Sequence, residues 1–540
     1  MADIKRILDD QKYLHNKNAT WRSYYQEISS FCLPRKAWID TPKTTGERLK
    51  FNFLYDSVAM RSLKIMAAGF HSNLTNPATK WYDFSPRNKR LQDSRAVMTW
   101  IRDAVDVTYS IINNSNFDTT MQEFYMDGGC FGTGALLTEE DEKRVIVFKN
   151  IPIEQIDLVE DSNGNVTEIF RNFRLTPRQA YSNWGMNIGK DMLELLQEKP
   201  YEEQDFLHYV GVRGVRDVRK IDAANKPIAS VWIAVKAKHE IKEGGYDSMP
   251  YHIGRFWKDP TDPRGYSPAM DVLADIKLLN QQKKTALRRG MKEADPPLHM
   301  PDKAFMLPLN FNPSAINNRR NGVAADDIQP FAYGAGNFSI TKEMMDDQKQ
   351  AIEEGFFVPL FRALSQVNKE MTIPEVQRRV MENMVLLGPT VGRYTQDVLE
   401  PAIYRVLDQA IKRKLVPPPP EELRGQDLDV VYLSPLAKAQ RESELVSIEG
   451  WLSASAQVAQ FKPDALDIID GDAVIRKIGK IRAVDPDLYH DSADVESIRK
   501  MRADMQARQQ QLSMVEQGSN AARNIADARS KSAKAEAPQK

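Results

Sequence analysis

Between Tyr266 and Leu364 two long helix patterns bracket a segment rich in proline and asparagine, with lysine and arginine scattered along both. An antiparallel helix pair of this composition has too little apolar surface to be stable by itself. It is expected to complete its packing against copies of itself around an axis, which points to a ring with a channel rather than to a pocket. Ser267 can cap the first helix and Pro268 suits its first turn. Val272, Ile276, Leu279, Leu287 and Met291 then carry the pattern to Pro296-Pro297, roughly 27 residues or about 40 Å of helix. Thr341 is expected to start the second helix, with Glu343, Asp346 and Asp347 near the positive end of its dipole and Ile352, Phe356, Phe357, Leu360 and Leu364 along its stripe.

Upstream, Ile4, Ile7, Leu8, Leu14, Trp21, Tyr25, Ile28 and Phe31 predict one amphipathic helix that Pro34 stops. Further helices are predicted over about 58–70 and 93–112, and from Phe117 to Asp127 with a break at Gly128-Gly129. After Gly132 the period changes to short β-branched and aromatic runs at 135–137, 145–148, 156–159 and 166–173, with Asn163-Gly164 as a hairpin signal. A second strand group covers 206–212 and 230–238, with 251–257 closing it. The expected class is α+β, mainly helical, with sheets built of sequence neighbours.

Downstream of the helix pair, residues 365–372 read as a loop, and Pro374 opens a helix kinked at Gly388-Pro389. Pro417 to Pro420 is an extended connector, residues 427–433 a returning strand, and 437–461 and 465–478 helices. The tract 509–540, rich in Gln, Ala, Ser and Lys, has little to bury and is expected to be mobile or weakly helical.

A chain of 540 residues exceeds what one core serves, and its 42% hydrophobic residues are enough for a folded body. Lysine plus arginine equals aspartate plus glutamate at 74 each, so no overall field steers the chain toward nucleic acid or anionic membrane. Balance is compatible with a conduit, because a strongly basic channel would hold phosphates and resist sliding. Cys32 and Cys130 have no ligand or redox spacing and read as reduced, packed thiols. The charged first 17 residues do not resemble a signal segment, and no apolar run approaches the ~20 residues of a membrane span. A cytosol-like compartment is expected.

Motifs for chemistry are missing: there is no phosphate-binding loop, no His-Glu-x-x-His, no Gly-x-Ser-x-Gly and no Cys-x-x-Cys. No catalytic residue, cofactor or metal is assigned. The cluster Gly128-Gly129-Cys130-Phe131-Gly132-Thr133-Gly134 follows a helix and precedes a strand, the reverse of a dinucleotide loop. Asp161-Ser162-Asn163-Gly164-Asn165 fits a hairpin turn better than a calcium loop, and Asp485, Asp487, His490 and Asp491 fit a solvated turn better than a metal site. Lys277, Lys283, Lys284, Arg288, Arg289 and Lys292 read as a solvated face taken singly. With Lys342 and Lys349 opposite, and Asn368 and Lys369 in the following loop, they would line a channel with modest positive charge that contacts phosphates without reading bases.

Several phrases, in order, resemble the portal, or head-to-tail connector, proteins of short-tailed bacteriophages. They are Asp127 to Ala135 leading into the hairpins, Gly265-Tyr266-Ser267-Pro268 opening a helix that contains Leu279-Asn280, Pro296-Pro297 closing it, Met371-Thr372-Ile373-Pro374-Glu375-Val376-Gln377-Arg378, and Leu387-Gly388-Pro389. Ile373-Pro374 departs from the family's more usual Ala-Thr. The resemblance implies a ring, usually of twelve subunits, at one capsid vertex. It implies a wing over 1–265, stem helices over 266–296 and 331–364, a clip over 297–330 and a tunnel loop over 365–373. A kinked wing helix and returning strand over 374–436, a crown over 437–508 and a mobile or barrel-like tail over 509–540 complete the plan. By the same implication Gln366, Asn368, Lys369 and Glu370 belong to the tunnel loop, and Lys283, Lys284, Arg288, Lys342 and Lys349 are channel-lining candidates of the stem. Asn317, Asn318, Arg319 and Arg320 would form the docking surface for terminase and later a tail adaptor, with major capsid and scaffolding proteins as further partners. Double-stranded DNA would pass nonspecifically, with no bond chemistry done by the chain and no membrane involved. The rival readings are a tail or capsid building protein without a DNA channel, and a metal-dependent nuclease built on Asp485 to Asp491.

Overall fold

The computed structural model describes residues 3–39, 53–217, 219–220, 222–295, 298–299, 329–330, 338–365, 387–433, 435–462, 468–481 and 492–535. They divide into two compact units, one of 1–83, 106–416 and 432–440, the other of 84–105, 417–431 and 441–540. Helix and antiparallel sheet are both present, as the α+β expectation requires.

The first unit opens with α1 (Ile4–Lys17) and α2 (Ala19–Cys32), two helices where one was expected. Asn18, at φ −89° and ψ 10°, breaks the run because its side chain is drawn away to donate a 2.7 Å hydrogen bond to buried Asp157. After α3 (Val58–Leu74), and after β1 (Tyr82–Pro86) and α4 (Arg95–Asn114), whose larger parts belong to the second unit, α5 (Phe117–Phe131) runs straight through Gly128-Gly129, where a break was expected. The stop comes at Gly132, whose left-handed φ of +73° closes the helix as glycine does at this position.

Two antiparallel sheets follow. Strands β2 (Thr133–Asp141) and β3 (Val145–Ile151) form a hairpin. Strands β4 (Ile156–Glu160) and β5 (Val166–Leu175) form another, around a turn in which Gly164 takes φ +82°. Helices α6 (Pro177–Trp184) and α7 (Lys190–Glu198), absent from the sequence reading, precede β6 (Gln204–Val212), β7 (Ile228–Ala234) and β8 (His239–Tyr246). Strands β4 to β8 make a five-stranded meander of sequence neighbours. The expected closing strand, β9 (Tyr251–Arg255), instead leaves that meander and pairs with β2. Alternation fills both faces of the meander: Ile169, Val210 and Ile228 join Leu137, Ile151 and Ile253 in one core, while Phe170, Leu207, Val231 and Ile233 bury Ile7 and Leu8 of α1.

Short strands β10 (Trp257–Lys258) and β11 (Gly265–Tyr266) lead to α8 (Pro268–Asp271) and α9 (Leu273–Ala294). The expected single helix is interrupted at Val272, with φ −97° and ψ 11°. Strand β12 (Leu298–His299) pairs with β13 (Gln329–Pro330). Helix α10 (Phe338–Gly355) begins three residues before Thr341, so Glu343, Asp346 and Asp347 fall beyond its first turn. Phe357, at φ +57°, then separates α10 from α11 (Val358–Ser365). Residues 387–394 are helical through Gly388-Pro389, and the irregularity lies at a π segment, Thr395–Leu399, before the helix Glu400–Lys412. Pro401 accounts for it: lacking an N–H and pressing on the carbonyl four residues back, it forces the wider turn.

In the second unit the extended Pro417–Pro420 connector accepts a 2.8 Å hydrogen bond from the Trp100 indole at the Pro417 carbonyl. Strand β14 (Leu428–Tyr432) pairs with β1, and Arg87 bridges Asp427 and Asp429 at 2.8 and 3.0 Å. Helices Pro435–Ala459 and Gly471–Ile481 follow, the latter starting later than expected. The last helix, Ser492–Ala535, spans much of the tract expected to be mobile or weakly helical.

Candidate functional site

The helix pair rises from a root built by the phrases that stood out in the sequence. Gly132 and Gly265 meet backbone to backbone, and a Cβ on Gly132 would lie 2.3 Å from the Gly265 carbonyl oxygen. Phe256 N donates to the Gly132 carbonyl at 2.8 Å and Gly265 N donates to Thr133 Oγ1 at 2.8 Å. Ser267 Oγ donates to the Cys130 carbonyl at 2.8 Å and accepts from Met270 N at 3.2 Å, so the cap of α8 is tied to the end of α5. The glycine cluster is therefore a packing device. A Cβ at Gly128 would strike Tyr394 Oη at 2.1 Å, one at Gly129 the Met66 methyl at 2.0 Å, and one at Gly134 the Phe124 ring at 2.7 Å.

Around this joint Phe70, Tyr125, Phe256, Phe361 and Tyr394 pack ring on ring, Phe70 stacked on Tyr125 and the other pairs edge to face or tilted, with centroids 5.6–6.2 Å apart. Arg255 spans Glu160 of the β4–β5 hairpin and, at 3.1 Å, Asp397 of the π segment, while Lys258 holds Glu160 at 2.9 Å. Lys36 and Asn150 hold buried Asp127 at 2.6 and 2.7 Å. Burial raises the Asp127 carboxyl, and the Lys36 charge opposes that rise. Cys32 and Cys130 are both reduced and buried, with burial pushing Cys32 up to about 12 and Cys130 well above the ordinary thiol value.

Three observations fix the pairing of the long helices. Gly355 of α10 abuts Val272 at the start of α9, Ile352 and Ile276 line one small cavity with Phe31 and Ala59, and Lys283 lies close enough to Asp346 to help lower its carboxyl, after the Lys349 hydrogen bond. Partners thus recede along α9 as they advance along α10, and the pair is antiparallel. Only Leu273, Ile276 and Leu279 of α9 are buried. Leu278, Leu287 and Met291 of α9 and Met344 of α10 are 44–60% exposed.

Of the basic candidates, Lys283 sits 3.6 Å from Asp56, Lys284 lies 5.7 Å over the Tyr55 ring and Lys349 bonds Asp346 at 2.5 Å. Arg288 and Lys342 are exposed. Gln366, Asn368, Lys369 and Glu370, Asn317 to Arg320, and the Asp485, Asp487, His490 and Asp491 group lie outside the described residues. Asp161 accepts from Asn163 N and Asn165 N at 2.9 and 2.8 Å, which spends its carboxylate on the turn. Among the described residues there is no group of three or more metal-ligating side chains, and no helix is long and apolar enough to cross a membrane.

Among known proteins, the probable portal protein of Bordetella phage BPP-1 is 27% identical over 532 residues, covering 97% of this chain and 95% of that one. The portal protein of Salmonella phage epsilon15 is 26% identical over 532 residues, covering 97% and 96%. The neck of an empty GTA particle computed with C6 symmetry overlaps 76% of this chain and 91% of its own at 12% identity and a TM-score of 0.35. The family described as bacteriophage head to tail connecting protein matches residues 5–489, a span that takes in the glycine-packed root, both sheets and the helix pair: the chain belongs to that family.

Proposed function

We propose that this chain is the portal subunit of a phage. Copies, twelve by the family resemblance, close into a ring at one capsid vertex, through which double-stranded DNA enters during packaging and leaves during ejection. The observation that carries the reading is the α9–α10 pair, whose distal part leaves apolar side chains uncovered and buries no α9 residue past Leu279. Such a pair gains stability when neighbouring copies cover it. In this reading 266–296 and 331–364 are the stem, 297–330 the clip that docks terminase and then a tail adaptor, and 365–373 the tunnel loop, where Asn368 and Lys369 face DNA. The chain does no bond chemistry, and a separate ATPase drives packaging. Electron microscopy of the purified full-length chain tests this: rings with an open axial hole are expected. Solid or filamentous particles, or monomers at every concentration, would refute it and favour a building protein without a channel.

A further inference from the structure

The two helices of the α9–α10 pair differ in charge. Helix α9 has six basic residues against two acidic, and α10 five acidic against two basic. On α10, Glu343, Asp347 and Glu354 stand two positions from the buried Met345 and Ile352, about 200° round the helix and on its outward side. On α9, Leu278, Arg288 and Lys292 are exposed and lie on the half turned from Ile276 and Leu279. Arg288 makes no ion pair with any described residue, and Glu343 and Asp347 are likewise exposed.

Resting on the ring reading, we infer that the occupant of these faces is a second copy of this chain. The outward face of α9 in one copy, basic with exposed Leu278, docks on the outward acidic face of α10 in the next, with exposed Met344 at its edge. Because the two faces belong to different helices, each docking leaves an α9 face at one end and an α10 face at the other, a head-to-tail contact that continues until it closes. The antiparallel register, Val272 beside Gly355 and Ile276 near Ile352, places Arg288 within a turn of the level of Glu343 when copies stand side by side without axial shift. Opposite charges then specify partner and register while the apolar side chains supply burial. Arg288 is on this account an inter-subunit residue, not a channel-lining one.

The test uses the full-length chain as Arg288→Glu, Glu343→Lys, the double variant and an equimolar mixture of the two single variants, with assembly followed by mass photometry. Both positions are exposed, so circular dichroism should match the wild type. Each single reversal is expected to raise the concentration for half-assembly by about tenfold or more. The double variant and the mixture are expected to recover most of that loss, the mixture through alternating copies. Wild-type assembly by both single variants, or a double variant no better than the worse single, would overturn the inference while leaving the ring intact. Failure of the wild type to form any ring would instead overturn the reading beneath it.

Discussion

Replacing Gly132 by alanine tests whether the root is as tightly determined as its geometry implies. The residue holds φ +73°, where a side chain costs about 1–2 kcal/mol, and its new Cβ would sit 2.3 Å from the Gly265 carbonyl oxygen and 2.5 Å from the Tyr266 carbonyl carbon. These are backbone atoms and cannot rotate aside, so overpacking adds about 1–3 kcal/mol more. The combined loss of about 2–5 kcal/mol should fall on the α5–β2 joint, because Phe256 N bonds the Gly132 carbonyl there and Gly265 N bonds the adjoining Thr133. Hydrogen exchange read by mass spectrometry on peptides covering 117–141 is the direct assay. At about 1.4 kcal/mol per tenfold, protection should drop between about thirtyfold and a few thousandfold. Gly290→Ala is the control: that position is helical with nothing within 4 Å of a Cβ, so it should stabilise α9 by up to about 1 kcal/mol and leave 117–141 unchanged. Unaltered protection of 117–141 in Gly132→Ala would refute the account of the root.

Two further perturbations probe the buried polar groups. His252, bonded to Thr138 Oγ1 at 3.0 Å, is held down to about 3 by burial and then by Arg405, so the unfolded chain protonates first as pH falls. Its contribution is whole above roughly pH 6.5 and is lost toward pH 3 at about 1.4 kcal/mol per unit. His252→Gln should flatten the fall in urea midpoint between pH 6.5 and 4.5, and an unchanged slope would sink the assignment. Glu154, raised by burial to about 6, contributes the opposite slope between about pH 6 and 4.5 in both proteins and cancels in the comparison. Tyr394 Oη is buried without a hydrogen-bond partner among the described residues, so Tyr394→Phe should match or exceed wild-type thermal stability, by up to about 1–3 kcal/mol. A clear loss of melting temperature would show that the hydroxyl has a partner.

The helices were legible because apolar spacing reports them directly; the interruption of the first was not, because it answers to something distant. Asn18 breaks the first helix through a bond to Asp157, 139 residues away, and the π segment requires Pro401 together with a neighbouring Asp397 held by Arg255. Strand β9 looked like the closing strand of the meander, and only the long-range pairing with β2 takes it elsewhere. Helix α6 was legible and missed: Thr176 and Gln179 form a capping box with Pro177 in the first turn, a signature present in the sequence. The helix-then-strand order expected around the glycine cluster is the order the structure shows. The cluster's role could not be read, since most of the side chains and backbone it accommodates, from Leu63, Met66, Gly265, Tyr266 and Tyr394, are far away in sequence.

The contrast between the root and the far end of the α9–α10 pair is itself a mechanical statement. At the root, glycines at 128, 129, 132, 134, 254 and 265 leave no room for even a methyl group, and aromatic rings from five elements interlock. A close-packed joint of this kind transmits strain and has few alternative packings. Past Leu279, α9 buries no side chain within its own chain, so its orientation is set by whatever lies beside it. A rigid base carrying an under-packed pair lets the base be completed in each separate copy while the pair responds to its neighbours. Moving apolar side chains into α9 beyond Leu279 so that they pack on α10 would invert that arrangement: the isolated chain would gain stability, and the uncovered surface available to a neighbour would shrink.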